Sequence, residues 1–117
     1  MIDLDISTLD NGVRLVKLSG KMDIQGVNQI GEEFALKISS TGIPTIVDLR
    51  EVSFIASLGM RILLSAARGV ANHDAKMVLL KPQPLVKEAL TVAGLNSLIP
   101  SYDDLYLAMA ALDPINA

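Results

Sequence analysis

The chain has 117 residues, half of them hydrophobic, with a formal net charge of −3, one histidine and no cysteine. This length predicts a single domain, residues 1–117, whose core needs neither a disulfide nor a metal. The composition excludes thiolate chemistry and nearly all zinc sites, and with 3% aromatic residues and no run of Lys or Arg it lacks the surface of a nucleic-acid binder.

The first part of the chain predicts a hairpin followed by a helix. Apolar and polar residues alternate over 2–7 and again over 13–18, on either side of an Asp-Asn-Gly turn signal. Asp23 then precedes apolar residues at helical spacing, and we expect it to cap that helix. Gly26 and Gly31 are predicted to weaken this helix by about 1 kcal/mol each relative to Ala.

The centre of the chain predicts a buried strand that leads into the longest helix. Residues 45–49 are a nearly continuous apolar run, typical of a central strand covered on both faces. After a short polar break, a clean helical pattern starts at Ser57. Ser57 has two interpretations at this point. It can be the N-cap of the helix, or it can be an exposed hydroxyl at a helix start, where an anion such as a phosphate is favoured.

The remaining residues predict a strand, two helices and an edge strand. Residues 75–80 form another buried strand, and a third helix begins at Pro84. Its predicted buried face is Leu85, Val86, Ala89, Leu90 and Ala93. A short edge strand at 98–99 and a capping box of Ser101 with Asp104 precede a final amphipathic helix. The order β-β-α-β-α-β-α-α predicts an α/β fold with about four helices packed mainly on one face of a mixed central sheet.

The sequence contains no set of residues that defines an enzyme. Ser57 resembles the serine of a nucleophile elbow, but His73 lies sixteen residues further along the same helix, about 24 Å away at 1.5 Å per residue. The carboxylates Asp23, Asp48 and Glu51 leave an acid–base pair open, with capping and surface roles as the simpler interpretation. We therefore predict no catalytic residue, no metal ligand and no cofactor.

Membrane insertion and export are not expected. Arg61 and Arg68 interrupt the longest apolar stretch before it reaches the length of a membrane span. The N-terminal residues include Asp3 and Asp5 and lack the basic region of a signal peptide. We expect a soluble cytoplasmic domain that binds neither membrane nor nucleic acid directly.

Three segments resemble the STAS domain of bacterial anti-sigma factor antagonists. Residues 18–23 are similar to the Leu-x-Gly-x-Leu-Asp loop of that family. Residues 47–59 resemble its hallmark Asp-Leu-x-x-Val-x-Phe-x-Asp-Ser-Ser/Ala-Gly, and residues 84–95 resemble its Pro-x-Val-x-x-x-Leu-x-x-x-Gly-Leu segment. The segments follow the family's order and cover nearly the whole chain, so the resemblance implies a STAS fold.

The resemblance also implies a mechanism. Such a domain binds an anti-sigma factor, often a serine protein kinase, and thereby frees a sigma factor for transcription. The kinase phosphorylates the hallmark serine, here Ser57, which blocks binding, and a phosphatase restores it. We predict that the partner surface combines the loop before the first helix with the exposed side of the second. Its residues are Met22, Asp23, Ser57, Leu58, Arg61 and Leu64.

Two departures from the family pattern keep an alternative open. The hallmark aspartate before the serine is Ala56 here, and the small residue after it is Leu58. The missing carboxylate affects recognition of Ser57 by a kinase more than it affects binding of a partner. The alternative is a STAS subunit or adaptor that is not phosphorylated, such as a small partner of a lipid-transport ATPase. The oligomeric state is open as well.

Overall fold

The computed structural model describes residues 2–112, which build one mixed sheet with helices on both faces. The strands lie side by side in chain order, and their bounds are Ile2–Thr8 (β1), Arg14–Met22 (β2), Thr45–Ile55 (β3), Met77–Leu80 (β4) and Ser101–Tyr102 (β5). β1 and β2 form the predicted antiparallel hairpin, whereas β2, β3, β4 and β5 pair in parallel.

Helices provide the crossovers that parallel strands require. The helices are α1 (Ile24–Phe34), which continues into a π-helical turn (Ala35–Ser39), α2 (Ser57–Ala71), α3 (Pro84–Val92), which is followed by a 3-10 turn (Leu95–Ser97), and α4 (Leu105–Leu112). None of the helices within residues 2–112 combines the length and the apolar character that crossing a bilayer requires.

Two apolar clusters define the layers. Phe34 of α1, Leu63 of α2 and Leu90 of α3 belong to the larger cluster, together with Val47 of β3. Ile46, whose side chain points to the opposite face of the sheet, belongs to the smaller cluster, which α4 covers. Three of the four described α-helices thus share one face, and the predicted α/β class with helices mainly on one face of a mixed sheet is confirmed.

β3 is longer than the sequence pattern predicts. The strand contains the apolar run 45–49 but continues through the polar segment to Ile55. β4 reaches only as far as the pair Asp48–Leu80, so the second half of β3 has β2 as its one neighbour. Polar side chains of that half can therefore face solvent while the backbone stays paired. The polar break is a change in exposure and not the end of the strand.

The C-terminal part differs from its prediction in two places. The edge strand is Ser101–Tyr102 and not 98–99, because the amides of residues 98–99 donate back to the carbonyl of Leu95 and close a turn. Asp104 caps α4 without the predicted capping box, since its Oδ1 accepts the amide of Tyr106 at 2.6 Å while Ser101 belongs to β5.

Candidate functional site

The predicted site lies at one edge of the sheet, where β2 and β3 end side by side. Met22 pairs with Ile55 in the parallel register, so the loops after the two strands start at the same edge. α1 begins at Ile24 and α2 at Ser57, directly after these loops. The prediction that the Met22–Asp23 loop lies beside Ser57 is confirmed.

Ser57 is exposed and is the first residue of α2, but it is not the cap. Ala56 holds the N-cap position with an extended backbone (φ −93°, ψ 170°), and its carbonyl accepts the amide of Met60 at 3.1 Å. The interpretation of Ser57 as N-cap is wrong by one residue, because Ala56 is the last residue with an extended backbone before the helix. The Ser57 hydroxyl is consequently exposed and is not committed to capping.

Asp23 caps α1, as the sequence predicts. Its Oδ1 accepts a hydrogen bond from the amide of Gly26 at 2.8 Å, and its side chain is half-buried. Gly26 lies against the backbone carbonyl of Lys21, with which a Cβ would overlap. The glycine predicted only to weaken α1 therefore lets the first turn of that helix approach the end of β2 closely.

The side chain of Met22 is buried, whereas a residue of the predicted partner surface has to be accessible. Its side chain is 0% exposed and belongs to the larger core cluster. Met22 continues the alternation by which Val16 and Leu18 of β2 point into the helical layer. The expectation that its side chain contacts a partner is therefore corrected. Met22 instead packs in the core beneath the loop that precedes Ser57, and its carbonyl oxygen accepts a hydrogen bond from the amide of Ala56 at 2.9 Å.

The other predicted residues are accessible. Arg61 is exposed, and Asp23, Leu58 and Leu64 are half-buried. Leu58 and Leu64 contact the core cluster with part of their side chains and leave the rest in solvent. We call the set Asp23, Ser57, Leu58, Arg61 and Leu64 the Ser57 surface. It combines an exposed hydroxyl with two half-buried leucines, an arginine and a carboxylate.

Sequence reasoning missed an apolar groove beside Ser57. Leu85 is 74% exposed and Val92 83% exposed, although Leu85 was predicted to be buried. α3 packs on the sheet through Val86 and Leu90, which leaves Leu85 and Val92 on another side of the helix. Together with Ser57 and Met60 of α2, they line one groove. The sequence does contain a signal for this groove: the apolar residues of α3 span an arc too wide for one buried stripe, so some of them must be exposed.

An ion pair between a buried aspartate and a half-exposed arginine lies on β3. Asp48 is 1% exposed, and both of its carboxylate oxygens accept hydrogen bonds from the Arg50 side chain, the shortest being 2.9 Å from Nη2 to Oδ2. Burial alone would raise the pKa of Asp48, but the hydrogen bonds and charge of Arg50, with the charge of Lys17, outweigh it and hold the pKa below its usual value. The carboxylate of Asp48 is thus paired with Arg50, and that of Asp23 caps α1. Two of the three carboxylates considered for acid–base chemistry therefore have structural roles.

Other chemistry finds no support in residues 2–112. No group of three or more His, Asp and Glu side chains there is arranged to hold a metal ion. His73 follows the C-terminal end of α2, with Nδ1 3.0 Å from the carbonyl oxygen of Gly69. Ser57 begins the same helix, so the two side chains lie at opposite ends of it, as the sequence predicts.

Comparison with known proteins agrees with the architecture. The family model described as the STAS domain matches residues 7–108. The BtrV protein of Bordetella bronchiseptica, named as a candidate anti-sigma factor antagonist, is 25% identical over 101 residues, which cover 86% of this chain and 87% of that protein.

Solved structures share the fold at low sequence identity. The crystal structure of an anti-sigma factor antagonist from Mycobacterium paratuberculosis gives a TM-score of 0.84 at 22% identity, covering 96% of this chain and 94% of that one. The phosphorylated form of the Bacillus cell fate determinant SpoIIAA gives a TM-score of 0.69 at 18% identity, covering 93% and 99%. Since the family model spans most of the sequence and the architecture is shared, the chain belongs to the STAS domain family.

Proposed function

We propose that this protein is an anti-sigma factor antagonist, a cytoplasmic regulator of transcription that performs no catalytic step. The observation that carries the proposal is the exposed Ser57 hydroxyl, which begins α2 at the position of the family's hallmark serine. The name of the Bordetella relative supports the same role. Binding of the Ser57 surface to an anti-sigma factor would release the sigma factor which that partner holds.

In this proposal, phosphorylation of Ser57 by the anti-sigma factor, acting as a serine kinase, ends the interaction. A phosphate brings about 1.5 to 2 negative charges into a contact beside Leu58 and Met60. Removing such a charge from water against apolar side chains costs several kcal/mol, which is enough to dissociate a typical complex. In the free protein, the unpaired amides of the first turn of α2 favour the phosphate, and a phosphatase resets the switch.

A second candidate function rests on Ala56. This residue is the N-cap of α2 and has no side-chain acceptor, whereas the family hallmark has an aspartate there. Without that carboxylate, a kinase that recognises it would leave Ser57 unmodified. The protein would then be a constitutive STAS subunit of another complex, for instance of a lipid-transport ATPase, and would bind its partner through the same surface.

The test uses the anti-sigma factor encoded nearest to this gene, purified and titrated with wild-type protein, Ser57→Ala and Ser57→Asp. We expect wild type and Ser57→Ala to bind alike and Ser57→Asp to bind at least about 10-fold more weakly, the equivalent of 1.4 kcal/mol. Incubation with ATP should add one phosphate to wild type and none to Ser57→Ala, measured by intact mass. Equal binding of all three without phosphate transfer would favour the subunit, and absence of binding would refute the antagonist.

A further inference from the structure

The groove beside Ser57 lies between two helices that scarcely touch. α3 packs mainly on β3, whereas α2 packs mainly on α1 and the π-helical turn. Ser57 and Met60 line the groove from α2. Leu85, Ala89 and Val92 line it from α3, where their spacing of four and three residues forms one ridge about 10 Å long.

The groove is apolar with a single charge. Glu88 is exposed and is the only charged residue among the described residues that line the groove. It forms no salt bridge with another residue of the described chain, 2–112. Leu85 and Val92, both largely exposed, flank it one turn away in each direction. An occupant that fits this surface has an apolar face with one basic residue on it.

We propose that this groove receives an amphipathic helix of the anti-sigma factor, whose apolar face covers Leu85 and Val92 and whose Lys or Arg pairs with Glu88. The identity of the partner rests on the proposed function. A helix fits because residues of two helices form the walls and no strand residue is among the described residues of the lining, where an extended peptide would need one to pair with. A helix satisfies its backbone hydrogen bonds internally, whereas an extended peptide would need hydrogen-bond partners that an apolar wall does not provide.

The position of Ser57 in this groove links the helix to the switch. A phosphate on Ser57 would enter the contact that the partner helix closes, beside Met60. The basic residue paired with Glu88 would attract that phosphate, but an ion pair near solvent contributes less than the desolvation of a doubly charged group costs. The net effect is release of the helix, in the direction that the switch requires.

The apolar part is tested by measuring the dissociation constant of the purified anti-sigma factor with Leu85→Ser and Val92→Ser. Each should raise it about 10-fold, as loss of a central apolar contact does. Leu36→Ser is the matched control, because Leu36 is 66% exposed on the π-helical turn, outside the groove. All three variants should keep the wild-type melting temperature. Wild-type affinity of the two groove variants overturns the proposal.

The charge is tested with Glu88→Lys, against Glu32→Lys on α1 as a control of the same charge change. We expect Glu88→Lys to weaken binding about 5-fold or more and Glu32→Lys to change it by less than 2-fold, in low salt. A Lys→Glu or Arg→Glu change in the partner helix should restore binding to Glu88→Lys. Equal effects of the two variants would mean that only net charge matters and would remove Glu88 from the site.

The nature of the occupant is tested by crosslinking. The protein has no cysteine, so Val92→Cys carries one unambiguous attachment point for a short photoreactive crosslinker. Mass spectrometry of the crosslinked complex should identify an amphipathic helix of the anti-sigma factor with a basic residue on its apolar face. Capture of a loop or a strand overturns the helix assignment. If the wild-type protein does not bind the anti-sigma factor at all, the proposed function is refuted. If it binds but the groove variants bind equally well, only the groove proposal is refuted.

Discussion

The backbone amide of Ala56 donates a 2.9 Å hydrogen bond to the carbonyl oxygen of Met22. This bond joins the loop after β3 to the end of β2, directly before α2 begins at Ser57. Since the side chain of Met22 is fully buried, the hydroxyl of Ser57 is positioned by a rigid core residue and not by a free loop. The accessible site and its internal support are thus different residues.

Gly59→Ala should disturb this support. A Cβ at position 59 would lie 3.0 Å from the carbonyl oxygen and the Cβ of Met22, and 3.0 Å from Cγ1 of Ile55. Two of these three atoms belong to the backbone or to a Cβ and cannot move alone, so we expect a loss of about 1–3 kcal/mol in the free energy of unfolding, measured with urea.

Gly31→Ala is the control for that variant. Its Cβ would meet only Cδ1 of Ile62 at 3.4 Å, the flexible end of a side chain. Replacing a helix-interior glycine by alanine without a clash should stabilise the protein by up to about 1 kcal/mol. If Gly59→Ala were as stable as Gly31→Ala, the close approach at Met22 would have no energetic importance.

Asp23→Ala should cost about 0.5–2 kcal/mol of stability, because it removes the acceptor for the amide of Gly26. Ser57→Ala should change stability by less than about 0.5 kcal/mol, since the hydroxyl of Ser57 does not cap α2. Urea unfolding of both variants gives the comparison. A loss in Ser57→Ala as large as that in Asp23→Ala would restore Ser57 as a cap.

Ala56→Asp should stabilise the protein. Ala56 is the N-cap of α2, has an extended backbone and offers no side-chain acceptor to the first turn. An aspartate there should add about 0.5–2 kcal/mol to the free energy of unfolding. The same change restores the family's hallmark carboxylate. Phosphate transfer from ATP to Ser57 by the anti-sigma factor can therefore be compared between wild type and Ala56→Asp.

Sequence patterns predicted the fold well because its elements are locally specified. The hairpin, the Asp23 cap and the exposed position of Arg61 on α2 follow from alternation, capping chemistry and helical spacing. The residue count between Ser57 and His73 also predicted that the two side chains lie far apart, and they lie at opposite ends of α2. These features depend on neighbours within a few residues.

The errors concern features set by distant contacts. Met22 is buried because α1 packs over β2 and Gly59 of α2 lies against Met22. Leu85 is exposed because α2 packs mainly on α1 and the π-helical turn and scarcely contacts α3. The N-cap shifted by one residue because Ala56 is held in extended form by its bond to Met22. A single sequence contains no local signal for such contacts, so the two loops were correctly predicted to lie side by side, but the buried and the accessible residues among them were not separated.

The ion pair on β3 predicts how stability depends on pH. The pKa of Asp48 is lowered in the folded protein, mainly by Arg50 against the opposing effect of burial. The unfolded chain therefore binds more protons near pH 4, and this contribution to stability, complete above the ordinary pKa of about 3.9, is lost as pH falls through the folded value. Arg50→Met should be less stable than wild type near pH 7, with a difference that shrinks below about pH 4.

Urea unfolding at a series of pH values measures that difference. In an Asp48→Asn background, Arg50→Met should have a cost that does not vary with pH, because the titrating partner is gone. A pH-dependent cost in that background would assign the effect to another carboxylate, of which Glu51 is the neighbour that also acts on Arg50.

Ser57→Asp should separate folding from binding. An acidic residue in the first turn of α2 interacts favourably with the positive end of the helix, so we expect about 0.3–1 kcal/mol of added stability. Ser65→Asp is the control, because Ser65 is exposed in the middle of α2, away from the helix end; it has Arg61 and Arg68 four and three residues away, whereas Ser57 has Arg61 alone. Ser65→Asp should gain at most the few tenths of a kcal/mol that such helical ion pairs contribute.

Titration with the anti-sigma factor should then show weakened binding for Ser57→Asp, the more stable variant. Loss of stability in parallel with loss of binding would indicate that the charge damages α2 itself, and the switch would have to act by a route other than the contact surface.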